Sequence, residues 1–457
     1  MYYKRNIDNH LREWADKPSR KPLLLRGARQ VGKSTAVKHL GQSFKHYVEI
    51  NFEKQSKYKA LFKQDLDVKR IVPLMAAMYG TPIVPGETLL FLDEIQDCQE
   101  AIMALRYFKE DMPELHVIAA GSLLEFALED IPTFGVSRIH SLYMYPMTFD
   151  EFIVSQGKDA MLEIRQAASA ASPLDSTMHQ ELVSLFRIYL LIGGMPEVVA
   201  KWNETSDFLA CQEIHDDIIT GYEDDFPKYR KKVDPILLRR TMHSVAVQTT
   251  KKFMFSRVEG EYKSADVKKA LALLTTAGII TPVMHTDASG LPLGEGGDPS
   301  IQKYLLLDSG LMLRMLGLAT NGMSEITEQI LTKTETELVN KGNVVEMTAG
   351  LEILRNMPPN IRHSLNYWVR QSKNSLAEVD YVLAKSLKIL PLEVKAEMQG
   401  GMKSLWEYMH QKRLHEAVRT SLENFGEFTN TDDEPLTDDT DGIRHVTVIP
   451  LYALSQL

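Results

Sequence analysis

Residues 27–34 read GARQVGKS, a G-x-x-x-x-G-K-S pattern that follows the apolar run PLLL. A phosphate group needs convergent donors and little steric hindrance. Gly27 and Gly32 let the backbone fold tightly enough for its N–H groups to point inward. A helix beginning near Lys33 adds its positive end. In this pattern the lysine reaches the β- and γ-phosphates and the hydroxyl ligates magnesium, so Lys33 and Ser34 are expected in those roles. The expected nucleotide-binding surface is Gly27, Ala28, Arg29, Gln30, Val31, Gly32, Lys33, Ser34 and Thr35. Arg29 and Gln30 either contact phosphate or stabilise the loop. The ligands implied are ATP and Mg2+.

LLFLDEIQ, residues 89–96, is the expected other half of that site. Four apolar residues carry the chain up a buried strand, and Asp93 emerges at its carboxyl end to hold Mg2+ together with Ser34. Glu94 is placed to orient or deprotonate water, which makes it the expected catalytic carboxylate beside Lys33. Ser122 ends the next strand candidate, in VIAAGS, where it either senses the γ-phosphate or serves as a turn serine. Arg138 is a candidate for neutralising transition-state charge, in cis or from a neighbouring subunit; the alternative is a surface arginine.

A second constellation lies near the other end. In AEVDYVLA and KILPLEVK, Asp380 precedes Glu393 by thirteen residues, and Lys395 follows two later. Residues two apart on a strand share a face, so Glu393 and Lys395 point the same way. If the two segments pair, Asp380 approaches Glu393, and two carboxylates can hold Mg2+ or Mn2+ at a scissile phosphate. Glu346, on a preceding helix, is a candidate to complete the set. The alternatives are a salt-bridged sheet face and a nuclease-like domain that does not cut.

The elements that must position these residues follow from the patterning. Helix NIDNHLREWADK leads into strand PLLLR, the glycine-rich turn and helix STAVKHLGQSF. Strands HYVEINFE, ETLLFLDE and LHVIAAGS then alternate with helices, one of them disturbed at Pro73 and another IMALRYFKEDM. Such alternation predicts a parallel sheet covered on both faces, with its site beyond the carboxyl ends of the strands. A fifth strand is expected within RIHSLYMYPM. Residues 178–224 read as helical, broken by GGMPE. Residues 232–316 read as a helix, a turn at Gly278 and a short hairpin, the outline of a winged helix. Beyond 335 come a helix, strands SLNYWVR, AEVDYVLA and KILPLEVK, one long helix SLWEYMHQKRLHEAVRTSL, and a closing strand HVTVIPLYAL. NTDDEPLTDDTDG, before that last strand, reads as a solvated loop.

At 457 residues the chain is long enough for several cores. The expected divisions are an ATPase core at 1–165, a helical segment at 166–231, a winged-helix-like domain at 232–330 and an α/β terminal domain at 331–457. A net charge of -9 argues against a uniformly basic nucleic-acid binder, but leaves room for a local basic groove. Cys98 and Cys211, the only two cysteines, form no metal-binding cluster and suit a reducing cytoplasm. The amino-terminal segment lacks the apolar core of a secretory signal, and no run reaches the length of a bilayer span, so membrane insertion is not expected.

LLLRGARQVGKST, LLFLDEIQ, AAGS, R-x-x-x-L-x-x-x-P-x-x-F-x-E-F at 138–152, GGMPEVV, YLLLDSGL, and EVDYVL with LEVK together resemble a prokaryotic AAA-type ATPase family with a C-terminal DUF4143 domain. The resemblance covers nearly the whole chain. It implies a P-loop AAA-like core, a helical and winged-helix middle, and a restriction-endonuclease-like end. Two departures are Ser137, where the family usually has glycine before the arginine, and GSLLE, where it often has a serine run. The function expected is Mg2+-dependent ATP hydrolysis coupled to rearrangement of the other domains, with DNA a possible target. The alternatives are an NTP-controlled protein-interaction module, with a protein partner or homo-oligomer, and an ATP-regulated metal-dependent nuclease.

Overall fold

The computed structural model describes residues 2–122, 124–129, 138–229, 232–295, 297–317, 341–372, 375–396, 401–431 and 442–457. Ser137, residues 331–340 of the expected terminal domain and residues 432–441 of the acidic stretch lie outside them. The chain divides into two compact units. The first comprises residues 1–147 with 276–279 and 358–362; the second comprises 148–275, 280–357 and 363–457.

In the first unit, α1 (Ile7–Asp16) leads to β1 (Leu23–Arg26), α2 (Lys33–Gly41) and β2 (His46–Asn51). Then come α3 (Lys59–Gln64), α4 (Val68–Tyr79), β3 (Thr88–Asp93), α5 (Gln99–Asp111), β4 (His116–Ala120), α6 (Leu124–Glu129) and β5 (His140–Tyr143). The five strands form one parallel sheet in the order β2-β3-β4-β1-β5. Leu23, Leu24 and Leu25 of β1 and all six residues of β3 are buried, as expected for strands covered on both faces. Helix α4 runs through Pro73 without interruption and stops at Gly80, whose φ of 80° supplies the left-handed cap.

In the second unit, α7 (Phe149–Ser155), α8 (Asp159–Ala167), α9 (Ser176–Ile192), α10 (Pro196–Thr205), α11 (Phe208–Asp225), α12 (Pro235–Val247) and α13 (Ser264–Thr276) form a helical middle. Side-chain caps start several of them: Thr148 with Glu151 in a capping box, then Asp175, Asp207 and Asp234. Strands β6 (Ile280–His285) and β7 (Gln302–Leu306) are an antiparallel pair followed by α14 (Ser309–Met315) and α15 (Lys341–Arg355). The pair is not a free-standing hairpin. The other edge of β6 takes β8 (Leu365–Ser372) in parallel, and β9 (Ser375–Val379) completes a β7-β6-β8-β9 sheet. Strands β10 (Tyr381–Lys385), β11 (Lys388–Val394), β12 (Glu416–Ser421), β13 (Gly426–Thr431) and β14 (Ile443–Pro450) form a mixed sheet ordered β10-β11-β12-β14-β13, with α16 (Lys403–Lys412) preceding β12.

Two strand readings change. AEVDYVLA is two strands that belong to different sheets and meet at Asp380. SLWEYMHQKRLHEAVRTSL is not one helix: α16 ends at Arg413, whose φ of 55° is left-handed, and EAVRTS is β12, paired in parallel with both β11 and β14. Central placement in a sheet overrides the helical reading of EAVRTS, because Ala417, Val418, Arg419, Thr420 and Ser421 are all buried there.

Two polar networks are built into the second unit. Arg165, fully buried, donates to both oxygens of Asp150 at 2.5 and 2.8 Å, to the Tyr452 carbonyl at 2.7 Å and to Ser455 Oγ at 2.9 Å. In the other, Asp308 accepts from the Gly194 N–H at 2.7 Å and caps α14, while Arg355 lies 3.7 Å from it. Glu352 accepts from the Tyr189 hydroxyl at 2.6 Å and the Phe149 N–H at 3.0 Å. GGMPEVV and YLLLDSGL thus meet as a structural joint rather than a reactive centre. Removing one member of a buried ion pair leaves the other without its counter-charge. Arg165→Met is therefore expected to destabilise the second unit by about 3–5 kcal/mol, read as a lowered denaturant midpoint.

Candidate functional site

The carboxyl edge of the parallel sheet gathers the residues singled out at the amino-terminal end. Leu25 pairs in register with Ala120, and Leu92 with Ala119, so β1, β4 and β3 end nearly level. From those ends emerge the glycine-rich loop, Ser122 and the Asp93–Glu94 pair. Gly27 has φ 139° and Gly32 φ 98°. A Cβ on Gly27 would lie 2.1 Å from the Met144 carbonyl oxygen, so β5 leaves no space for any larger residue there.

Lys33 is the first residue of α2, and its buried Nζ donates to the carbonyls of Gly27 and Ala28 at 2.8 and 2.7 Å. Burial lowers its pKa to about 8, against the opposing pull of Glu94 and Asp93. Ser34 Oγ lies 3.2 Å from each oxygen of Asp93. Burial, then the neighbouring Glu94 charge, raises the Asp93 pKa. A hydroxyl and a carboxylate face to face are the oxygen donors a magnesium ion takes, so these residues fit that ion. Glu94 has a left-handed φ of 47°, a costly conformation for a non-glycine residue, and its side chain leaves Asp93 for β4. Its carboxylate accepts from the Ser122 N–H at 3.1 Å, the Ser122 hydroxyl at 3.2 Å and Gln96 Nε2 at 2.7 Å.

Arg138 is not brought to this edge within the chain. It precedes β5, whose first residue His140 is level with Leu23 at the start of β1. It pairs with Glu110, near the end of α5, and is half-exposed. Both residues sit at the amino edge of the sheet, opposite the loop.

Four further residues contribute to this edge. Asn51, at the end of β2, donates to Asp93 Oδ2 at 3.1 Å and so orients that carboxylate. Gln96 does the same for Glu94. Arg5, before α1, donates to the Val31 carbonyl at 3.0 Å and the Tyr145 carbonyl at 2.8 Å, bracing the loop from behind. Arg362 lines a cleft with Gly27, Ala28, Ser122, Tyr145 and Gly278. Its segment is tied to β5 by the Tyr143 N–H, which donates to the Pro359 carbonyl at 2.7 Å. Asn51 closing HYVEIN and a basic residue near the amino terminus are visible in the sequence, but nothing in it says that they arrive here.

The second constellation also converges. Tyr381 pairs with Leu392, which sets Asp380 and Glu393 opposite each other across β10 and β11. Asp380 Oδ2 accepts from the Val394 N–H at 2.7 Å, and Lys395 donates to Glu393 Oε1 at 2.5 Å. Glu346, on α15, joins them, and one oxygen each from Glu346, Glu378 and Asp380 lies within 4.8 Å of the others. Glu378 and Lys303 were not anticipated. Lys303, on β7 and buried, donates to Glu346 at 3.0 Å and pairs closely with Glu378. Burial raises the Glu346 pKa to about 8 despite Lys303, and raises that of Glu393 to about 7, with Asp380 adding to the effect.

Residues 19–153 match an AAA domain family. The chain carries an N-terminal AAA-type domain. Residues 183–322 match a domain of unknown function, DUF8612, and residues 341–453 a second, DUF4143, so a C-terminal DUF4143 domain is also present. No curated protein matches the chain. Membership of the AAA family is consistent with nucleotide binding and ATPase activity. Among the described residues, no helix is long and apolar enough to cross a membrane.

If phosphate binds beside Lys33, the burial of that lysine gives the binding a pH dependence with a definite sign. A phosphate beside the ammonium raises its pKa, so binding takes up a proton wherever the free lysine is neutral. ATP affinity should be flat below a free-protein pKa of about 8 and fall as pH rises above it, with a slope approaching about tenfold per pH unit. Titrations at pH 7 and pH 9.5 check this, and an unchanged affinity would contradict it.

Proposed function

We propose that this protein is a magnesium-dependent ATPase. Its phosphate loop is Gly27 to Ser34, with Thr35 following on α2. The observation that carries the reading is the placement of Ser34 Oγ 3.2 Å from both Asp93 oxygens, two residues 59 apart in sequence. A magnesium ion held by Ser34 and Asp93 would offset the negative charge that develops on the phosphates. Loop N–H groups and the amino end of α2 cradle the phosphates, and Lys33 turns from the loop carbonyls to the β- and γ-oxygens. Asn51 keeps Asp93 aimed at the metal position.

Glu94 is the residue that orients and deprotonates water. Its bonds to Ser122 hold it over the end of β4, between the loop strand and the acidic strand, which supports a water position beside the γ-phosphate. Ser122 thereby positions the base, and its hydroxyl is close enough to exchange that bond for one to phosphate. The cleft that contains Ser122, Gly27 and Ala28 is on the same side and is also lined by Arg362, which supports Arg362 as the group that neutralises transition-state charge in cis. Arg138 remains available only to a neighbouring subunit.

Coupling to the rest of the chain is supported by how the AAA-type unit is composed. Residues 276–279 and 358–362 belong to it, although the chain on either side of each does not. A Cβ at Gly278 would sit 3.4 Å from the Ala28 N atom, so this short segment packs directly on the phosphate loop. Movement of the loop on hydrolysis would pull on β6, which begins at Ile280, and on β8, which begins at Leu365.

Steady-state turnover and ATP binding in the full chain test the assignment. Lys33→Ala should lose both. Glu94→Gln should retain ATP while turnover falls by about 10²–10⁴-fold, the usual contribution of a positioned base. Arg362→Ala should retain ATP with a smaller loss of turnover. Equal turnover in wild type, Lys33→Ala and Glu94→Gln would exclude the ATPase reading.

A further inference from the structure

Lys303 has an unusual position for a lysine. Only 2% of its side chain is exposed, and its ammonium lies 4.7 Å from the centroid of the Tyr367 ring. It donates to Glu346 and pairs with Glu378, two of the three carboxylates whose oxygens converge with Asp380. A buried cation among converging carboxylates occupies the place that a metal ion takes in a site of this donor type.

Space and charge decide between the two cations. Magnesium takes its oxygens at about 2.0–2.1 Å and calcium at about 2.3–2.6 Å, whereas an ammonium takes a carboxylate at about 2.7–2.9 Å. With Lys303 Nζ 3.0 Å from Glu346 Oε1, a divalent ion on the same oxygens would sit against the ammonium. Two cations on the same carboxylate oxygens would repel strongly at that separation. Only one of them can be resident. One further atom points to the second cation. Glu393 Oε2 is buried and accepts no hydrogen bond, while its Oε1 is held by Lys395. It lies beside Asp380 across the β10–β11 pair, where a divalent ion would satisfy it.

We propose that Lys303 is the resident cation of this cluster, standing where a divalent ion would bind, so that the terminal domain takes Mg2+ or Mn2+ only when the β6–β7 pair withdraws Lys303. The domain is then a carboxylate site kept closed by its own lysine. Metal-dependent phosphodiester cleavage is absent while β7 stays in place. This inference does not depend on ATP hydrolysis, since its residues all lie in the second unit.

Mn2+ titration of the nucleotide-free full chain, followed by electron paramagnetic resonance, tests it. Wild type and Asp380→Asn should bind the same number of ions, because the cluster holds none in either. Lys303→Met should gain one Mn2+ site per chain, and adding Asp380→Asn should abolish the gain. Lys303→Arg, which keeps a cation, should gain none. A wild-type Mn2+ site that disappears in Asp380→Asn would overturn the proposal, as would a folded Lys303→Met that gains no site. If Lys303→Met fails to fold, Lys303→Gln takes its place in the same titration, and a folded Lys303→Gln that gains no Mn2+ would likewise overturn the proposal.

Discussion

Three strand ends that finish level are the constraint on which the nucleotide site depends. β1 and β3 are not neighbours; β4 lies between them, and the registers Leu25 with Ala120 and Leu92 with Ala119 align all three. That alignment puts Ser34 and Asp93 at opposite sides of one position, and places Glu94 over the intervening strand. A slip of one residue in either pairing would move Asp93 by about 3.3 Å and reverse the face it presents. Both faces of β1, β3 and β4 are packed, so a slip would force every buried side chain on these strands to repack.

Both carboxylate clusters solve the same electrostatic problem with different cations. At the strand ends, Asp93 and Glu94 are consecutive, and the left-handed turn at Glu94 separates their charges. Lys33 sits close enough to both to offset their repulsion, and its own burial lowers its pKa to about 8. In the second unit, Glu346, Glu378, Asp380 and Glu393 face Lys303 and Lys395, so the carboxylates outnumber the ammonium groups. Burial, with the Asp380 and Glu378 charges adding to it against Lys303, pushes the Glu346 pKa up to about 8. For a carboxyl raised by folding, that contribution to stability is complete below the unfolded pKa of about 4.3 and is lost as pH rises through the folded one.

How much was legible followed from whether a feature was contiguous. GARQVGKS and LLFLDE each carry loop, strand and reactive residue in one short run, so the chemistry could be read without knowing the fold. Asp380, Glu393 and Lys395 were readable as a strand pattern, because a period of two dictates which side chains share a face. Asn51, Arg5, Arg362, Lys303 and Glu378 were not, since each acquires its role only through a tertiary neighbour. Arg138 shows the opposite case: its spacing within a motif says nothing about which edge of the sheet it occupies. β12 was hidden because Arg413 ends α16 in a left-handed conformation without glycine or proline to mark the stop.

The central claim is that Ser34 and Asp93 face each other in order to share a magnesium ion with bound ATP. ATP dissociation constants measured with excess Mg2+ and with a chelator, for wild type and for Asp93→Asn, address it most directly. Magnesium should tighten ATP binding to the wild type and lose most of that effect in Asp93→Asn, whose neutral amide offers the ion a weaker donor. Wild-type affinity indifferent to magnesium, or an equal magnesium effect in the variant, would contradict the account.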